Sequence, residues 1–253
     1  MNKINIRVDE LDYRTEEELK TLRTNLMFCG ADKKVVMITS TIPGEGKSDS
    51  SMNLAISLAK LNKRVLLMDL DLRRSVMVSK CEGQNAKYGM THFLSGQCQL
   101  TDAIYSTNIP RMHVAMAGPA TPNPTELLSS EIFQKMIKSL REVYEYIIID
   151  TAPLGLVIDA AIIAKECDGA IIVVEAGKIK YRQAQNVRDQ IANSGCDVLG
   201  VILNKVESKH QKYYSRYSRY GKYGKYGKYG GYYGHEEESE NSGKKKLKKE
   251  EQK

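Results

Sequence analysis

The chain has 253 residues, is 42% hydrophobic and 27% charged, and carries a formal net charge of +7; that is one domain of ordinary size plus appendages, with apolar residues enough for a true core. The lack of Trp and the presence of only three Phe imply an aliphatic core, as buried parallel sheets tend to have. Five scattered cysteines, Cys29, Cys81, Cys98, Cys167 and Cys196, argue against a disulfide framework or a Cys/His metal site and fit reduced thiols, while neither a signal-peptide core nor an apolar run near the ~20 residues of a membrane helix is found.

In chain order, residues 1–13 are polar and show no clear element. Residues 14–29 have helical spacing, with Leu19, Leu22, Leu26 and Met27 on one stripe. Glu17, Lys20 and Arg23 follow at steps of three, along one side of that helix. A solvated charged face is the commoner explanation of such spacing, and a partner surface the alternative. Residues 34–39 form a predicted strand, and Thr39-Ser40-Thr41-Ile42-Pro43-Gly44-Glu45-Gly46-Lys47-Ser48 a glycine-rich turn before a helix carrying Met52, Leu54, Ala55, Leu58 and Leu61. A turn in that setting is a phosphate cradle: backbone N–H groups and the positive helix end face an anion, and Gly44 and Gly46 let the backbone approach it. Lys47 would reach the β- and γ-phosphates and Ser48 would ligate Mg²⁺. A plain glycine turn would leave a lysine at the positive end of a helix unexplained.

The next strand, Val65-Leu66-Leu67-Met68, ends in Asp69-Leu70-Asp71-Leu72-Arg73. Ligands of open α/β sheets bind beyond the carboxyl ends of strands, so Asp69 and Asp71 are expected near the phosphates, to hold Mg²⁺ or accept a proton. The alternative is a pair of loop carboxylates with Arg73 as their salt-bridge partner. Residues 75–128 are less regular, with short helices expected at 90–94 and 101–105 and a strand at 112–116. Pro119, Pro122 and Pro124 keep the following connection irregular up to a helix beginning at Ser130-Glu131 and carrying Phe133, Met136, Ile137 and Leu140. Tyr146-Ile147-Ile148-Ile149-Asp150 is a second acid-ended strand, and Asp150 the second acidic element that a P-loop site uses for Mg²⁺. A helix at 159–164, a strand at 170–174, a helix at 181–194 and a last strand at 198–205 complete the array. Asn204 stands at the carboxyl end of that strand, where a base could be read by hydrogen bonds. Alternation of strands and helices over 34–205 implies a doubly wound, mostly parallel α/β sheet with right-handed crossovers.

After Lys205 the composition changes. Tyr214, Tyr217, Tyr220, Tyr223, Tyr226, Tyr229 and Tyr232 recur every third residue, joined by Tyr213 and Tyr233, within Ser-Arg and Gly-Lys repeats. Acidic residues 236–240 and basic residues 244–249 follow. Neither a helical nor a strand period exists there, and residues 206–253 are expected to be disordered. A solubilising tail, a nucleic-acid-binding tail whose rings stack on bases and a phosphorylation substrate all fit this composition. Each phosphate would add about −1.5 to −2 charges, and the nucleotide-binding core favours the third.

Taken together, residues 14–233 resemble the bacterial tyrosine kinases, the BY-kinase family of capsule and exopolysaccharide regulators. The loop Pro43-Gly44-Glu45-Gly46-Lys47-Ser48 is similar to that family's Walker A, residues 65–73 to its Walker A′, 147–153 to its Walker B, 117–128 to its proline-containing connection, and the tyrosine cluster at 213–233 to its autophosphorylation segment. The resemblance implies a P-loop NTPase fold of the MinD/ParA-like kind, with ATP and Mg²⁺ as cofactors. It implies Lys47 on phosphate, Ser48 and Asp150 on Mg²⁺, Asp71 as catalytic acid/base and metal neighbour, and Asp69 in support, with residues 43–49 and Asn204 around the nucleotide. Residues 1–33 would form an N-terminal segment whose E-x-x-R-x-x-R assembly motif maps onto Glu17, Lys20 and Arg23, the subunit contact of a ring whose members offer their tails to neighbours. A cytoplasmic location is also implied, with recruitment to the inner membrane face by a separate transmembrane activator. A cognate tyrosine phosphatase and exogenous protein substrates are further expected partners, and nucleic acid is not.

Two positions depart from the family pattern. Lys20 replaces an arginine and loses its bidentate fork. Asp49 brings a carboxylate beside a polyanion, which lowers nucleotide affinity unless the side chain turns away or helps to hold a cation. A ParA/MinD-like ATPase switch is the rival reading, but its loop carries a second lysine where this chain has Thr41-Ile42-Pro43, and it leaves the tyrosines unexplained. A nucleic-acid-binding ATPase is the third reading and rests on the tail's charge.

Overall fold

The computed structural model describes residues 3–82 and 86–206; the tail and its tyrosines lie outside the described residues. The elements run β1 (Lys3–Ile6), α1 (Tyr13–Phe28), β2 (Val35–Ser40), α2 (Lys47–Ala59), β3 (Val65–Asp69), a 3₁₀ turn (Met77–Lys80), β4 (Cys81–Glu82), α3 (Met90–Leu94), α4 (Leu100–Ala103), β5 (Ile104–Thr107), β6 (Met112–Ala115), α5 (Pro124–Leu128), α6 (Glu131–Val143), β7 (Tyr146–Asp150), α7 (Asp159–Ala164), β8 (Gly169–Glu175), α8 (Tyr181–Asn193) and β9 (Val198–Asn204).

The strands form one sheet in the order β4-β1-β5-β6-β3-β7-β2-β8-β9. Its centre is parallel, and only the β1–β4 and β5–β6 pairs are antiparallel. Helices cover both faces, so the central strands are buried on both and carry continuous apolar runs. Val35 and Met37 of β2 join a core with α6, α7 and α8, whereas Val36 and Ile38 join a second core with α1 and α2. Successive side chains of a strand point to opposite faces, so one six-residue run, entirely buried, serves two cores. The doubly wound, mostly parallel sheet expected from the alternation is therefore present.

Two stretches differ from the sequence-based expectation. Residues 3–6, expected to form no element, are β1, with Ile4 and Ile6 both buried. The alternating Lys-Ile-Asn-Ile is a strand period too short to stand out in a polar terminus, and it is fixed by distant partners: the Asn108 side chain accepts from Ile6 N at 2.8 Å and donates to Ile6 O at 3.0 Å. The helix expected at 101–105 ends at Ala103, and Ile104 and Tyr105 begin β5 instead. The edge of β6 offers hydrogen bonds to a β-branched, aromatic run, and tertiary pairing overrides local helix spacing there.

Helix starts follow their caps. The Asp12 side chain accepts from Thr15 N at the start of α1, and Ser130 from Phe133 N at the start of α6. Helix α2 starts differently. Gly46 precedes it in the left-handed region, with φ 91°, and no side-chain cap is present, which leaves its first N–H groups free for a ligand.

Candidate active site

The site lies where β2, β3 and β7 end together. Parallel pairing sets Asp69 opposite Asp150 in register and Ile38 on the other side of Asp150. The three acid-ended or glycine-ended strands thus deliver their last residues to one point beyond the sheet, where such folds bind ligands.

Lys47, the first residue of α2, is buried with its Nζ 3.4 Å from Asp71 Oδ2 and 3.5 Å from Asp150 Oδ2. Ser48 donates its hydroxyl to Asp150 Oδ2 at 2.6 Å, and Ser51, one turn later, donates to Asp150 Oδ1 at 3.2 Å. Burial pushes the Asp150 carboxyl up, against the opposing pull of Lys47 and these two hydroxyls. Asp69 is fully buried, and burial first, then the Asp150 charge, push it up to about 7. Its oxygens accept from Asp71 N at 3.1 Å and from the Ser75 hydroxyl. Asp69 therefore braces the turn that presents Asp71, whose own Oδ1 accepts from Arg74 N at 3.0 Å.

Two carboxylates against one lysine leave the pocket short of positive charge. Ser48, Asp71 and Asp150 supply the hard oxygen donors that Mg²⁺ prefers. Among the described residues no three His, Cys, Asp or Glu side chains form a metal cage. That agrees with an ion held by one or two carboxylates and a hydroxyl together with substrate phosphates and water; the residues present fit a nucleotide-bound Mg²⁺.

The phosphate loop is held from behind. Glu45 is buried, and its Oε2 accepts from Thr41 N and Ile42 N at 2.7 and 2.9 Å while its Oε1 accepts from Glu175 N at 3.1 Å. Its side chain is a brace, and only its backbone faces the ligand side. Pro43 and Gly44 are exposed at the tip. Asn204 donates to Glu45 O at 2.9 Å and accepts from Lys205 N, so one of its two amide hydrogens is spent on the loop and one remains for a base. Asp49 turns outward to an ion pair with Lys80, the first of the two ways in which its carboxylate could avoid a phosphate.

The expected assembly residues do not form one open row. Lys20 pairs with Glu17 at 2.7 Å, both half exposed. Arg23 instead lies on α2 and donates through Nη1 to Ser57 O and Oγ at 3.1 and 3.2 Å.

Several positions around the site carry only a faint signal in the sequence pattern, or none. Ser51 on Asp150 is foreshadowed only by its place one helical turn after Lys47. Glu175 and Lys205 follow apolar strands, as the acids of the site do, and that is the signal they share. Arg73, considered as a partner for the nearby acids, forms a two-pronged pair with the buried Asp159 of α7 at 2.6 and 2.9 Å, a partner 86 residues away in the chain that no local spacing reveals.

A family model described as an AAA domain matches residues 33–194. The tyrosine-protein kinase CpsD of Streptococcus agalactiae is 46% identical over 200 residues, spanning 79% of this chain and 86% of that protein. The kinase domain of the Escherichia coli tyrosine kinase ETK superposes with a TM-score of 0.72 at 27% identity, over 76% of each chain. The cell division ATPase MinD of Pyrococcus furiosus, at 22% identity and a TM-score of 0.58 over 68% of this chain and 71% of its own, shares the fold. With the Lys47, Ser48, Asp71 and Asp150 cluster at the head of α2, these similarities establish that the chain belongs to the bacterial tyrosine kinases and is a P-loop protein-tyrosine kinase.

Proposed function

We propose that this kinase transfers the γ-phosphoryl group of Mg·ATP to its own C-terminal tyrosines, Tyr213 to Tyr233, in trans within a ring, and that this cycle regulates capsule or exopolysaccharide synthesis. The observation that carries the reading is the convergence of Lys47, Ser48, Asp71 and Asp150 at one buried point in a chain that also carries nine tyrosines within 21 residues.

Phosphoryl transfer needs positioning and charge neutralisation more than covalent chemistry. The N–H groups of the loop and the start of α2 would seat the phosphates, and Lys47 would move from the two carboxylates onto phosphate oxygens. Ser48, Asp150 and Asp71 would hold Mg²⁺, which when bound neutralises charge on the β- and γ-phosphates. A tyrosine hydroxyl, with a pKa of about 10, gives up its proton as it attacks phosphorus, and Asp71 would accept it. Asp69, walled in by Ser75 and the backbone of Asp71, positions Asp71 and does not meet substrate.

Among the described residues no helix is long and apolar enough to cross a membrane, which fits a cytoplasmic kinase recruited by a separate transmembrane activator. A tyrosine phosphatase would reset the tail, and other proteins would serve as further substrates.

A Lys47→Met chain mixed with a chain whose tail tyrosines are all Phe, with an activator fragment and Mg·ATP present, tests the trans step. Mass spectrometry should find phosphotyrosine on the Lys47→Met tail. An unmodified Lys47→Met tail, alongside wild-type chains that do modify themselves, would show that transfer is not in trans.

A further inference from the structure

The end of β9 grips the phosphate loop. Lys205 Nζ donates to Gly44 O at 2.6 Å and pairs with Glu175 Oε2 at 3.0 Å. Its neighbour Asn204 donates to the next carbonyl, Glu45 O, at 2.9 Å. Two consecutive carbonyls of the loop are therefore held by two consecutive residues at the end of a strand, 161 and 159 positions later.

The consequence follows from the planar trans peptide. In such a unit the C=O and the following N–H point in opposite directions. Holding Gly44 O and Glu45 O toward β9 turns Glu45 N–H and Gly46 N–H the other way, into the cradle. Gly44 and Gly46 have φ of 82° and 91°, a region open to glycine in which the flanking peptide planes turn easily. A carbonyl that swung inward would set a negative oxygen against phosphate. Lys205 is itself left-handed, with φ 55°, which is uncommon for a residue with a long side chain; the surroundings impose that backbone where the ammonium reaches Gly44.

We infer that Lys205 is a positioning residue for ATP binding: its ammonium, with the Asn204 amide beside it, locks the peptide planes of the phosphate loop so that the loop's N–H groups face the nucleotide phosphates. The Lys205 ammonium is committed to Gly44 O and neutralised by Glu175, so its part is to hold the loop. The inference rests on the reading that the loop seats ATP phosphates.

The test is Mg·ATP affinity, measured by calorimetry on the full chain, for wild type, Lys205→Ala, Lys205→Arg, Lys205→Gly and Lys178→Ala. Loss of a charge-assisted hydrogen bond corresponds to about a tenfold weaker complex or more. Lys205→Ala and Lys205→Gly should both show it, while Lys205→Arg, which can still reach the carbonyl, recovers most of the affinity. The KM for ATP should rise more than kcat falls, since the N–H groups serve ground and transition states alike. Lys178→Ala removes the other cation on Glu175 and should bind as wild type does. Thermal melts without nucleotide should stay within a few degrees of one another.

Wild-type affinity in Lys205→Ala overturns the inference, as does wild-type affinity in Lys205→Gly alone, which would assign the effect to backbone strain. Failure of Lys205→Arg to recover binding also counts against it. If the wild-type chain itself does not bind Mg·ATP, the reading of the loop fails instead.

Discussion

Replacing Arg73 with alanine removes both hydrogen bonds from the carboxylate of Asp159, which has no exposed surface in the folded chain. Breaking a buried ion pair from one side costs ~3–5 kcal/mol, because the remaining charge is left without compensation. The Arg73 side chain is 40% exposed, so water follows the departing guanidinium and screens part of that cost; about 2 kcal/mol is expected. Urea unfolding with linear extrapolation measures it. Asp159→Asn removes the buried charge as well, so Arg73→Ala/Asp159→Asn should be less destabilised than the sum of the single variants by about 1 kcal/mol or more. Activity supplies a second measure. Arg73 lies two residues beyond Asp71 and ties that loop to α7, so its loss should lower kcat more than it raises the KM for ATP, as expected when a reacting group loses its alignment. An Arg73→Ala chain within about 0.5 kcal/mol of wild type, or single-variant costs that simply add, would refute the claim that this pair fastens the loop after β3 to α7.

Asp69 makes stability depend on pH in a stated direction. Its native carboxyl titrates at about 7 against 3.8 for an unperturbed aspartate, so between those values the folded chain holds a proton that the unfolded chain has lost. Stability is therefore lost as pH rises from about 4 to about 7, by at most ~4 kcal/mol. Asp69→Asn should become more stable relative to wild type across that window by urea titration, and a difference that is flat or of opposite slope contradicts the assignment. Gly46→Ala must carry φ 91° and place a Cβ 2.0 Å from Asn204 Nδ2. Left-handed strain of about 1–2 kcal/mol and a lost hydrogen bond of about 1 kcal/mol should lower the melting temperature and weaken ATP binding more than tenfold, whereas wild-type binding would show that the loop can rearrange freely. Asn108→Ala leaves both backbone groups of Ile6 without their side-chain partner. It should cost about 2 kcal/mol and speed amide exchange in β1, and unchanged exchange there would mean that pairing with β4 and β5 and the burial of Ile4 and Ile6 hold β1 without Asn108.

Much of this architecture is legible in the chain because its signals are local. Val35–Ser40, Val65–Asp69 and Tyr146–Asp150 are continuous apolar runs ending in a glycine loop or an acid, and a strand buried on both faces has to look like that. Asp159–Ala164 ends where its sequence pattern ends. What was not legible depends on partners far along the chain. The Lys-Ile-Asn-Ile of β1 is a strand because Asn108 and β5 receive it, and Ile104-Tyr105 is a strand because β6 lies alongside.

The same division runs through the site. The loop from Pro43 to Ser48, with Asp71 and Asp150, announces a nucleotide by residue type and spacing alone, because phosphate demands backbone N–H groups, a lysine and oxygen donors at fixed offsets. Tertiary structure alone decides the rest. It puts Asp69 in register with Asp150 and buries it, turns Asp49 out to Lys80, lays Arg23 onto α2, pairs Arg73 with Asp159, and hangs the loop's carbonyls on Asn204 and Lys205. Each of these depends on which strands are neighbours in the sheet, and strand order is set by long-range pairing that no window of sequence contains.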